Sequence, residues 1–176
     1  MAEKEISYRM EGIAFGMVDG MILCLGLTIG VAEATSSSNL VIITGIIGGL
    51  ANAFGNAIGF FTSQSTERGL QIHETIERGV ATRIHSKKEI LTNTAFAFLA
   101  TIVVLIVLVI PFVLFDVPTA VIVTFSLGAV LSFLLGSYVG KLSRENVYWN
   151  GLKYSILAIV GAVISHFVGD LLQFLV

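Results

Sequence analysis

Charge is what this sequence has least of. Only 12% of its 176 residues are Asp, Glu, Lys or Arg, whereas 55% are hydrophobic and the mean hydropathy is +0.91. Polar side chains are too few to cover a water-facing surface, which excludes a soluble domain of ordinary composition. Cysteine is nearly absent. Cys24 stands alone, so no intramolecular disulfide is possible, and its place inside an apolar run reads as a small core side chain. A net charge of −2 gives no basic excess for a nucleic-acid partner. Low-complexity linkers are missing, as is a small-residue cleavage pattern behind the first apolar run, so that run is expected to stay in the mature protein.

What is present is apolar sequence in long blocks. Five of them, about 12–32, 40–63, 91–115, 118–140 and 152–176, reach the roughly 20 residues that a helix needs to cross a hydrocarbon core. Backbone polar groups must be paired in lipid, and helices pair them internally. The expected fold is therefore an all-α membrane protein, one domain over 1–176, with five transmembrane helices and a short helical loop over 64–90. All ten Lys and Arg fall in three places: Lys4 and Arg9 before the first block; Arg68, Arg78, Arg83, Lys87 and Lys88 between the second and third; Lys141, Arg144 and Lys153 around the last connection. The connections "EATSSSN" and "FDVPT" hold none. Basic loops remain in the cytoplasm, so the N-terminus is expected there and the C-terminus outside, with a cell membrane as the expected location.

Against this background "GMVDGM" is conspicuous, because it sets Asp19 inside a membrane span. Asp19 lies on the order of 10 Å from the start of its span at 1.5 Å per residue, and Asn56 lies at a similar depth on the second span, which runs the other way. Asn52, four residues from Asn56, shares its face. An ionised Asp in lipid costs roughly 2.5–3.5 kcal/mol, which disfavours an unpaired one facing hydrocarbon. The carboxylate is either protonated and hydrogen-bonded to Asn52 or Asn56, or it binds a cation, or it lines a wet path. No Lys or Arg lies deep enough in a span to pair with it. Carboxylate and amide oxygens suit hard or borderline divalent ions such as Mn(II) and Fe(II), and an Asp that also takes a proton is a natural exchanger of the two. Met17 and Met21 lie two residues to either side, on other faces, and read as packing residues.

Glycines repeat at four-residue intervals: Gly12, Gly16 and Gly20; Gly26 and Gly30; Gly55 and Gly59; Gly136 and Gly140. Such spacing lets membrane helices approach closely, and the first and third sets, bordering Asp19 and Asn56, predict tight packing of spans one and two. The loop between spans two and three has apolar residues at Leu70, Ile72, Ile76, Val80 and Ile84, a helical stripe, and reads as an extension of span two followed by a second short piece near Gly79. Its Glu67, His73, Glu74 and Glu77 form acidic edges that either collect a cation at the cytoplasmic mouth or pair with Arg68 and Arg78 on a solvated helix. "HETIE" is no zinc-protease box, since Glu77 stands where the second histidine is required. In span five, His166 and Asp170 are four apart, as a structural hydrogen bond or as an exit site for proton or metal. Tyr148, Trp149 and Tyr154 read as interfacial anchors.

Two motifs carry a resemblance. "GMVDGM" with its trailing "GLTIG" resembles the first-span signature of the vacuolar iron transporter family. "GFFTSQSTE", with Gly59, Phe61, Ser63, Thr66 and Glu67, is similar to that family's Gly-x-Tyr-x-Ser-x-x-Ser-Glu pattern. The "IPFVLF" close of span three and the glycine-spaced span five also resemble family features. The resemblance implies a homodimer that moves Fe(II), Mn(II) or related ions out of the cytosol in exchange for protons, along a path between protomers, with the metal as cargo and no permanently bound cofactor. It places Asp19 and Asn56 on that path. Asn56 stands where the family has a methionine, a hard amide oxygen in place of a soft sulfur, and the loop is shorter than the glutamate-rich metal-binding domain of plant and fungal members. An intramembrane metalloenzyme or a non-transporting membrane subunit are the competing classes.

Overall fold

The computed structural model describes residues 2–79 and 83–175, with side chains described from Met10 to Phe174. Its described residues form five long helices: α1 (Ala2–Thr35), α2 (Ser38–Arg78), α3 (Lys87–Leu114), α4 (Val117–Leu142) and α5 (Val147–Leu172), followed by a single 3-10 turn. All five are long and apolar enough to cross a membrane. The chain is an integral, multi-pass membrane protein.

The helix ends follow the local chemistry. The Ser37 hydroxyl accepts from the Leu40 N–H and the Asn146 side-chain Oδ1 from the Trp149 N–H, each filling an orphan donor of a first turn. Ser86 and Glu89 form a reciprocal capping box at the start of α3. Gly79, at φ 65°, takes the left-handed conformation that closes α2. The stripe over 70–84 proves to be one continuous extension of α2 to Arg78, and residues 83–86 are not helical, so no second helical piece is found among the described residues. Leu70 and Ile76 on this extension are solvent-exposed, because no neighbouring element covers them within the protomer. Val80 and Val176 lie outside the described residues.

α1 is the central helix, touching the other four. Its contact with α3 is made backbone to backbone. A Cβ on Gly12 would fall 2.1 Å from the Asn93 carbonyl oxygen, and one on Gly16 would fall 2.1 Å from that of Ala97. Gly20 continues the seam against Thr101. The three-glycine ridge therefore packs on α3, correcting the expected packing against α2. The other half of that expectation also changes, since nothing in the protomer lies within 4 Å of a Cβ placed on Gly55 or Gly59. Four-residue spacing identifies a face but cannot say which helix meets it. On the other side of α1, Gly26 and Gly30 face Ser165 of α5, and Gly136 and Gly140 of α4 meet Asn150 of α5.

These registers run α1, α3 and α5 one way and α2 and α4 the other. The α2–α3 and α4–α5 connections thus share one end of the bundle with the start of α1, and this is the basic end. Cys24 is fully buried, Met17 packs on the core, and the buried Met21 sulfur accepts from the Ser132 hydroxyl, so all three serve packing. Tyr148 and Trp149 are exposed at the start of α5, whereas Tyr154 packs against Gly136.

The seam gives a direct test. Gly16→Ala should destabilise the folded protein in detergent by on the order of 1–3 kcal/mol, since backbone must move to admit the methyl group. Gly161→Ala, where nothing in the protomer lies within 4 Å of the added carbon, should not destabilise it. Thermal unfolding of the two variants checks both.

Candidate functional site

The α1–α3 seam sets heights for everything around Asp19. Gly20 lies against Thr101, and the Thr101 Oγ1 accepts a 3.0 Å hydrogen bond from the Asn56 Nδ2 of α2. The same hydroxyl lies 3.0 Å from the carbonyl oxygens of both Gly16 and Ala97, to one of which it donates. Asn56 and Thr101 are buried. One residue from Gly20, Asp19 is thereby held level with Asn56. The three helices meet there because α1 and α3 carry small residues at their contact and α2 carries a buried stripe through Ala53, Asn56 and Phe60.

Neither predicted amide caps the carboxylate. Asn56 spends its Nδ2 on Thr101, and the Asn52 Nδ2 is buried with no hydrogen-bond partner. The expected alternative of an Asp19 bonded to Asn52 or Asn56 is therefore not what the structure shows. Asp19 is half-buried. Because Thr101 fixes the orientation of the Asn56 amide, Oδ1 is the atom left to act as an acceptor or ligand. Thr101 went unnoticed in the sequence, as a threonine in an apolar span bonds its own helix as readily as a neighbour. Gln64 and Asn93, on the same buried faces nearer the basic end, were also missed; Gln64 Oε1 and Asn93 Nδ2 are buried without hydrogen-bond partners.

The predicted mouth residues separate into two groups. Glu67 accepts from the Gln71 Nε2 at 3.2 Å and lies 3.5 Å from the His85 Nε2, while Glu11 of α1 is within electrostatic reach of both His85 and Glu67. His73 and Glu77 instead pair with each other at 3.1 Å in solvent, and Glu74 lies 3.9 Å from Arg78. Arg68 donates to the His85 carbonyl oxygen rather than to a glutamate, and Gln71 Oε1 accepts from the His85 N–H. Residues six apart on a helix fall on different faces, which is why Glu67 and His73 part company. Among the described residues, no three of His, Cys, Asp and Glu are grouped closely enough to hold a metal ion within one protomer. At the opposite end, His166 Nδ1 lies 3.0 Å from Glu33 of α1, not paired with Asp170 as the four-residue spacing predicts. Gly169 makes this possible, since its missing side chain lets Glu33 lie across α5.

Five membrane-crossing helices, with a half-buried carboxylate that neither Asn52 nor Asn56 caps, define a multi-pass membrane protein that carries an acidic group within its spans. The chain belongs to the VIT family, whose model matches residues 11–94, the segment holding Asp19, Asn56 and the basic-end loop. It is 31% identical over 161 residues to an uncharacterized protein of Methanocaldococcus jannaschii, covering 86% of this chain and 84% of that one. Membership makes it a membrane metal transporter in general terms.

The loop presenting His85 depends on the capping box. The Ser86 N–H above all, with Arg83 adding to it against a burial penalty, holds the Glu89 carboxyl below its ordinary value of 4.5. A depressed folded-state value means that the contribution of Glu89 is complete above about 4.5 and is lost as pH falls through the lower folded-state value. Amide-exchange protection of Ser86 should accordingly hold from neutral pH down to that range and then fall. In Glu89→Gln the protection should be reduced throughout and lose this acid step.

Proposed function

We propose that this protein exports Fe(II) or Mn(II) from the cytosol in exchange for protons, as a homodimer, with Asp19 holding metal and proton in turn along a path at the protomer interface. The observation that carries the reading is the half-buried Asp19 carboxylate, level with Asn56 yet bonded by neither Asn52 nor Asn56. An acid left without a neutralising donor at membrane depth is costly unless a proton or a cation occupies it, and one carboxylate cannot hold both. Exchange follows from that exclusion. Asn56 contributes Oδ1, with Asn52 beside it.

The open Gly55–Gly59 ridge supports the dimer, because small residues left uncovered on a membrane helix offer a second helix close approach. The basic end faces the cytosol by the distribution of Lys and Arg. Glu67, joined by Glu11, gathers cations there, and His73, Glu74 and Glu77 on the α2 extension add negative charge to the approach. The His166–Glu33 pair, with Asp170 one turn further on, marks the external end as a place of proton release or uptake.

In reconstituted vesicles, Asp19→Ala should abolish Mn(II) and Fe(II) flux and its pH dependence while the dimer stays folded. Undiminished flux in that variant contradicts the proposal, and a harmless Asp19→Asn favours a non-transporting subunit. Asn56→Met replaces a hard oxygen with a soft sulfur, so the ratio of Fe(II) to Mn(II) flux should rise several-fold in a paired transport assay.

A further inference from the structure

Glu11, Phe15 and Asp19 follow one another at four-residue steps along one face of α1, and Asn56, Phe60 and Gln64 do the same along the buried stripe of α2. Because the two helices are antiparallel, the series meet level for level. Asp19 is level with Asn56 through the Gly20–Thr101 contact, and the rings of Phe15 and Phe60 touch with centroids 5.4 Å apart at 48°. Beyond the rings lie Glu11, Glu67 and His85. Polar groups therefore occupy the steps on both sides, each about 6 Å away along α1, and two phenyl rings occupy the step between.

The third side of this layer is closed by backbone, since Ala97 abuts Gly16. The two rings are held unequally. Phe60 is 7% exposed and packed in place, whereas Phe15 is 43% exposed and has room to leave its partner. An apolar constriction blocks a hydrated ion because the ion must shed water there with nothing to replace it. Exposed side chains change rotamer within nanoseconds, far faster than any transport cycle.

We propose that Phe15 and Phe60 form a gate between the acidic mouth and the Asp19 site, with Phe60 the fixed seat and Phe15 the moving leaf. The proposal rests on the transport reading above, and supplies what exchange requires: a barrier that keeps Asp19 from being in permanent contact with the water of the mouth. Without it, protons would equilibrate with Asp19 regardless of metal, and coupling would be lost.

The test uses the full chain in vesicles, reading Mn(II) flux and metal-independent proton leak together. Phe15→Ala should raise the proton leak and the downhill Mn(II) flux several-fold, and adding Asp19→Ala to it should remove the Mn(II) flux. Phe15→Trp, which enlarges the leaf, should slow Mn(II) flux without raising the leak. Should Phe15→Ala fail to fold as judged by size-exclusion behaviour, Phe15→Leu, apolar but smaller than the ring, should raise the leak in the same direction by a smaller factor. Flux and leak equal to wild type in the folded Phe15 variants, with Asp19→Ala still inactive, overturn the gate and leave the transport reading standing. Flux that survives Asp19→Ala in the wild-type background overturns the transport reading, and the gate with it.

Discussion

The structure depends on the glycine seam between α1 and α3. In lipid no hydrophobic force draws helices together, so close packing and interhelical hydrogen bonds must do so, and both need backbones near each other. Gly12, Gly16 and Gly20 provide that approach, with Cβ positions that the Asn93 and Ala97 carbonyls already fill or that Thr101 crowds. The closeness is also what lets the Thr101 hydroxyl lie within reach of the Gly16 carbonyl while accepting from Asn56. Through that hydroxyl the seam reaches the third helix. Its register decides which residue of α2 stands beside Asp19 and which stands beside Phe15.

Seen from that seam, the polar residues between the basic end and the apolar core of the bundle form an ordered series. Nearest the basic end are Glu11, Glu67 and His85 together with Gln64 and Asn93, then the two aromatic rings, then Asp19 with Asn56 and Thr101. Each polar level has its charge or amide only partly satisfied within the protomer, whereas the core beyond it, around Cys24, Leu25, Leu105 and Leu108, is apolar and fully buried. Unsatisfied polar atoms are costly in a membrane and persist where water, ions or a partner chain complete them. Gly55 and Gly59 leave a neighbouring face ready for such a partner.

Much of the fold was legible in the sequence because its signals are long and one-dimensional. Block length and the placement of Lys and Arg yield five spans and a common basic end without reference to any contact. Asp19 was legible for a related reason: a carboxylate in a span is anomalous by itself. What periodicity could not supply is the identity of the facing helix. The three-glycine ridge met α3 rather than α2, and His166 reached Glu33 across a glycine rather than Asp170 along its own helix. Thr101 was silent because its residue type is ordinary in a span, and its role exists only through the 3.0 Å contact with Asn56. Gln64 was hidden by a boundary, since the apolar block ends at Ser63 while the buried stripe of α2 runs one residue further.

The central claim is that a single carboxylate is held in turn by a proton and by a metal ion. Infrared difference spectroscopy on the reconstituted protein measures this directly, through the carbonyl band of a protonated carboxylic acid before and after Mn(II) is added. The account predicts a band that is lost on adding Mn(II) in the wild type and has no counterpart in Asp19→Asn. A band that Mn(II) leaves unchanged, or one that persists in Asp19→Asn, would contradict it.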